Sequence, residues 1–142
     1  MKENFQWLAD GVDFPHELPL EALKCWIERV AADHDRVVGS LNYIFCSDEK
    51  ILQVNRQFLQ HDYYTDIITF DNSRRRQLNG DMFISLETVA TNAVLVGQSY
   101  ERELRRVIIH GVLHLCGIND KGPGEREIME AHENAALAML DC

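Results

Sequence analysis

Between Leu20 and Ala32 the apolar positions Leu20, Leu23, Trp26, Ile27 and Val30 recur every three to four residues, the spacing of one helix face. The pattern then changes period. VVGSLNYIFC (37–46) alternates Leu41, Tyr43 and Phe45 with smaller or polar neighbours and is rich in β-branched and aromatic residues, so it predicts a strand. FQWL (5–8) reads as a short first strand, broken by Gly11, Pro15 and Pro19. Ser47 offers an N-cap for a short helix through Ile51, Val54 and Phe58, and TDIITF (65–70) is a compact strand after the turn QHDYY. RRRQLNGD (74–81) reads as a loop and MFIS (82–85) as the return to the sheet. Ser85 caps a helix that Gly97 ends, Ser99 caps one that runs to Cys116 and stops at Gly117, and a last helix covers Glu125 to Leu140. The order β-α-β-α-β-β-α-α-α predicts an α+β fold, a single mixed β-sheet packed with helices.

Composition narrows the class. The 142 residues are 46% hydrophobic and 26% charged, as expected of one globular domain spanning 1–142. No apolar run reaches the roughly eighteen residues of a membrane span, and the amino terminus lacks the basic start and apolar middle of a signal peptide, so the expected location is cytoplasmic. Cys25, Cys46, Cys116 and Cys142 form no C-x-x-C pair and are expected to be free thiols. The formal charge of −9 opposes a polyanion at long range, but screening limits that repulsion to about 8 Å at physiological salt, so a local basic cleft can still dominate at contact.

The candidate chemistry lies in HGVLHLCGIND (110–120). Four residues turn a helix by about 400° and raise it about 6 Å, so His110 and His114 project from one face and can share a cation. Gly117 suits a left-handed residue that ends the helix and reverses the chain, and the step through Ile118 and Asn119 returns Asp120 to the same place. Two nitrogens and one carboxylate oxygen leave a fourth position for water, the stoichiometry of a catalytic zinc site, and the helix takes on a zincin-like look. The expected cofactor is one divalent metal ion, zinc by preference. A zinc peptidase places a glutamate after its first histidine as the base, and here that position is Gly111, which has no side chain to remove a proton. Phosphodiester cleavage asks less of a built-in base, because a metal both acidifies its water and neutralises charge on phosphoryl oxygens. No side chain is assigned as the catalytic base; that task is left to metal-bound water.

At these residues the chain resembles the YbeY family of bacterial endoribonucleases. The family's H-G-x-L-H-L-x-G-Y-D-H is met without a gap by H-G-V-L-H-L-C-G-I-N-D, SLNYIFCSDEKILQVNRQF is similar to its strand and helix, TDIITF to its T-D-V-L-S-F, and NGDMFIS to its G-D-I-x-I-S. Glu125, Met129 and Glu133 match the spacing of its final helix, and the likeness covers about residues 40 to 133. It implies a metal-dependent, single-strand-preferring endoribonuclease of 16S rRNA maturation and ribosome quality control, with ribosomal RNA and the small subunit as partners. By the resemblance His110 and His114 are metal ligands, and Asp120 stands in the place of a third histidine. A carboxylate there makes the site less positive, which favours harder metals and a less acidic bound water. His132 is expected to be an ordinary surface residue.

The family's arginine falls on Leu59, which cannot bind phosphate. Arg56, three residues earlier on the same predicted helix face, and His61, two residues later, are the candidate substitutes. Arg74 to Arg76 form one local basic patch and Arg102, Arg105 and Arg106 another, although Glu101 and Glu103 interleave with the second. Tyr63 and Tyr64 are candidates for stacking unpaired bases. Two other readings compete: a metallohydrolase with a different substrate, and a ribosome-associated protein whose metal is structural.

Overall fold

A computed structural model describes residues 5–15, 18–59 and 65–141. The elements follow the predicted order: β1 (Phe5–Ala9), α1 (Leu20–Asp33), β2 (Val37–Cys46), α2 (Asp48–Val54), β3 (Ile67–Asp71), β4 (Gln77–Ser85), α3 (Leu86–Val96), α4 (Tyr100–Leu115) and α5 (Glu125–Ala138). One four-stranded sheet of order β1-β2-β4-β3 joins them. β1, β2 and β4 are parallel, and β3 runs antiparallel to β4 at the edge. The sheet is therefore mixed and the fold α+β.

The helix starts are local chemistry. Ser47, Ser85 and Ser99 each accept a hydrogen bond from the backbone N–H three residues on, satisfying one of the donors a helix leaves unpaired at its first turn. Gly97 ends α3 at φ 69°, a left-handed conformation that costs glycine little.

β4 begins earlier than the reading of RRRQLNGD as a loop places it. Val37 pairs with Gln77 and Val38 with Leu78, so the neighbouring parallel strand draws 77–81 into the sheet. Leu78, Gly80, Met82 and Ile84 turn inward, while Gln77, Asn79 and Asp81 lie on the more open side and disguise the alternation.

The main core lies between the sheet and α1, α4 and α5. Leu41, Tyr43 and Phe45 from β2 meet Leu78, Met82 and Ile84 from β4 and the buried side of α4. Val107, Ile108, Ile109, Val112 and Leu113 are fully buried there, and each contributes on the order of 1.5–3 kcal/mol of transfer free energy. That sum holds α4 against the sheet although its other side carries polar and charged residues. Two directed bonds fix its surroundings: the Tyr43 hydroxyl donates to the Ile108 carbonyl, and the Trp26 indole N–H donates to the Ala136 carbonyl of α5. A smaller cluster of Cys46, Ile51, Val54 and Ile68 seats α2. Among the described residues, no helix is long and apolar enough to cross a membrane.

Candidate metal centre

The last turn of α4 determines where Asp120 goes. The Gly117 N–H bonds the His114 carbonyl and the Ile118 N–H bonds the Leu113 carbonyl, the paired bonds of a Schellman ending, with Gly117 at φ 92°. Ile118 packs against the main core beyond the helix end, which pins the reversal. Arg36 donates to the carbonyl of Cys116 and covers another helix-end acceptor. The chain thus turns back, and Asp120 lies beside the two histidines three and six positions after the helix-ending glycine and His114 respectively.

The His110 and His114 rings stand 5.1 Å apart at 84° to one another. Asp120 bridges them, with Oδ2 3.2 Å from His110 Nε2 and Oδ1 3.4 Å from His114 Nε2. One donor atom from each of the three side chains lies within 4.8 Å of the others. Donors around a tetrahedral zinc at about 2.0–2.1 Å stand about 3.3 Å apart, so the two histidine–aspartate separations and the nitrogen and oxygen donor set fit a divalent ion. The His110, His114 and Asp120 side chains are 15%, 33% and 23% exposed, which leaves one side open to a cleft of about 1010 Å³. Burial, followed by the neighbouring charge of His110, holds His114 below the usual imidazole pKa, which favours the neutral form a ligand requires.

Behind His110 is a partly buried polar cluster in which Glu103 and Glu133 are buried. Glu133 of α5 reaches His110 Nδ1 at 2.6 Å. Arg106, one turn before His110 on α4, donates to both Glu133 oxygens at 3.2 Å, to Glu103 at 3.0 and 2.5 Å, and to Asp66 at 3.4 Å. The Glu103 hydrogen bond, opposed by burial and helped by the charges of Glu133, Glu103 and Asp66, raises the Arg106 pKa still further.

The family model of endoribonuclease YbeY matches residues 14–141. The chain belongs to the endoribonuclease YbeY family. A Bacteroides fragilis protein named endoribonuclease YbeY is 63% identical over 131 residues, 92% of this chain and 94% of its own length. A Porphyromonas gingivalis protein of the same name is 48% identical over 132 residues, 93% of this chain and 87% of its own length. The solution structure of a Thermotoga maritima protein superposes with a TM-score of 0.68 at 28% identity, covering 96% of this chain and 88% of that one.

Leu59, the position on which the YbeY resemblance places the family's arginine, lines the same cleft as His110, His114 and Asp120. Arg56 does not share that position: it lines a separate depression with Asp48, Glu49 and Lys50. Residues 55–59 form a π-helical turn, whose wider spacing rotates the chain less per residue, so positions three apart no longer share a face as they would in an α-helix. His61, Tyr63 and Tyr64 lie outside the described residues. Arg74 to Arg76 do not line that cleft, and Arg76 pairs with Asp35. Arg102, Arg106, Lys121 and Arg126 do line it. His132 packs its ring 5.1 Å from that of His34 and is not among the cleft residues. Cys116 is buried, as expected of a small apolar side chain, and Cys25, Cys46 and Cys116 are free thiols.

Sequence reasoning did not single out Glu133, Arg106 or Asp66 as parts of one cluster. The spacing of Arg106 and His110, one helical turn apart, was the available signal. Gly111 also has a role beyond lacking a carboxylate: its Cβ position faces Met82 and Ile67 of the sheet.

Proposed function

We propose that this chain is a metal-dependent endoribonuclease that prefers single-stranded RNA, with His110, His114 and Asp120 holding one divalent ion, zinc by preference. The observation that carries the reading is the convergence of these three donors at an open cleft in a chain of the YbeY family. Bound there, the ion would supply Lewis acidity toward a phosphodiester oxygen and toward water. The protein's own side chains orient the donors and gather the substrate. Arg102, Lys121 and Arg126 are exposed cations along the cleft and suit phosphate contacts, whereas Arg106 is committed to carboxylates. His61 stays a candidate contact because in the sequence it follows the cleft residue Leu59 by two positions, and Arg56 would engage only a strand that continues to its own depression.

A peptidase is not favoured. Position 111 faces Met82 and Ile67 of the sheet and is occupied by glycine, so it offers no carboxylate to act as the base that such chemistry uses. The proposed biological substrate is 16S ribosomal RNA during small-subunit maturation and ribosome quality control, in the cytoplasm, with residues 1–142 acting as one catalytic unit. The continuous sheet and the family match across 14–141 support that unit.

The test is metal analysis and cleavage of a single-stranded RNA, run side by side on wild-type protein, His114→Ala and Asp120→Ala. We expect near-stoichiometric metal and chelator-sensitive cleavage in the wild type, and loss of both in the variants. Equal cleavage by all three preparations would assign the activity to a contaminant and overturn the reading. A cyclic phosphate on the product would indicate attack by the RNA 2′-hydroxyl, and a 5′-phosphate attack by water.

A further inference from the structure

The geometry points to Glu133 as the positioning residue that presents His110 Nε2 to the metal, with Arg106 as the clamp that fixes Glu133; this rests on the metal-centre reading above. His110 has two ring nitrogens and only one can face the ion. Nε2 points at Asp120, while Nδ1 is 2.6 Å from Glu133 Oε2. A carboxylate at Nδ1 holds the proton on that nitrogen and leaves the Nε2 lone pair available, which fixes both the tautomer and the ring plane.

The burial of Glu133 argues that this contact is more than incidental. Its side chain is 5% exposed, on the α5 face that also carries Met129, Ala136 and Leu137, where an apolar residue would pack without desolvation cost. A buried ion pair by itself is a poor source of stability, because dehydrating both groups offsets most of their attraction. Here, however, the guanidinium has a specific geometry. Arg106 Nη1 reaches both Glu133 oxygens, while Nε and Nη2 are held by Glu103, so Arg106 cannot swing away and Glu133 cannot rotate off the imidazole without breaking several bonds together. Asp66, just before β3, adds a further contact from the sheet side. The cluster therefore links the sheet edge, α4 and α5 to one ring nitrogen.

The experiment measures zinc and cobalt affinity by competition with a chromophoric chelator, for full-length wild type, Glu133→Gln, Glu133→Ala and Arg106→Lys, beside metal-free melting and circular dichroism. Glu133→Gln keeps an acceptor oxygen but loses the charge, and should bind metal about tenfold more weakly; Glu133→Ala should lose about 100-fold. Arg106→Lys, which cannot span both oxygens, should fall between wild type and Glu133→Ala. Long-range proton–nitrogen NMR of the zinc-loaded wild type should show His110 protonated at Nδ1. If Glu133→Gln folds and binds both metals within twofold of wild type, or if NMR places the His110 proton on Nε2, the inference is overturned while the metal centre stands. If the wild type binds neither metal, the metal-centre reading fails and the inference with it. Should Glu133→Ala not fold, Glu133→Gln and the NMR still decide.

Discussion

A β-carbon added to Gly111 would lie 2.7 Å from Met82 Sδ and 3.0 Å from Ile67 Cδ1, so the missing side chain is what lets α4 settle onto the sheet. The helix would gain about 1 kcal/mol of propensity from alanine, but overpacking a dense core typically costs about 1–3 kcal/mol. Gly111→Ala is expected to destabilise the protein by about 1 kcal/mol in urea unfolding. Combining it with Met82→Ala should cost less than the sum of the two single changes, because the added methyl group occupies space that Met82 vacates. Strict additivity would remove the packing explanation.

Asp120 tests what charge the centre tolerates. Asp120→His restores the donor expected from the YbeY motif and makes a loaded site one unit more positive. Zinc binding should persist, and the pH–rate profile for RNA cleavage should shift to lower pH. Asp120→Ala should instead weaken binding severely. Chelator competition and a pH series on the same preparations check both outcomes, and an unchanged profile in Asp120→His would argue against a ligand role.

Arg102 lies two turns before His110 on α4, on the stripe that also carries Arg106 and His114. A single strand following this stripe would meet Arg102 through phosphate. Arg102→Ala should raise KM several-fold with little change in kcat, and should make the log–log dependence of binding on salt shallower by about 0.7, the slope of one phosphate contact on a single strand. An unaltered salt slope would take Arg102 off the path.

Burial lowers the pKa of His34, helped by the facing His132, and burial likewise lowers that of His114, helped by His110. Above the ordinary value of about 6.5 these imidazoles are neutral in folded and unfolded chains alike. Below it the unfolded chain binds protons that the folded chain resists, so stability falls as pH falls. Metal-free protein should therefore melt at progressively lower temperature from about pH 7 to pH 5.5 by these groups, and His34→Gln should show a smaller decline in differential scanning calorimetry. A melting temperature that rises over this interval would contradict the sign.

The elements and the donor triad were readable because their determinants are local. Ser47, Ser85 and Ser99 cap helices through bonds to residues three positions away, and the reversal at Gly117 is closed by carbonyls of the preceding turn. The strand boundary at Gln77 was harder to read, since it depends on pairing with Val37 some forty positions earlier in the chain. Alpha-helical spacing puts Arg56 and Leu59 on one face, and the π-helical turn over Asn55–Leu59 separates them.

From the order of residues alone came a helix bearing paired imidazoles, a glycine stop and a returning carboxylate, because covalent spacing and backbone geometry specify partners less than about three helical turns apart. The depth of the site belonged to the folded chain. Glu133 meets His110 across 23 positions, Arg106 meets Glu133 across 27, and Asp66 joins Arg106 across 40. Contacts at that separation have no fixed phase in the sequence; they exist only once the sheet, α4 and α5 have packed and each helix has chosen the face it buries.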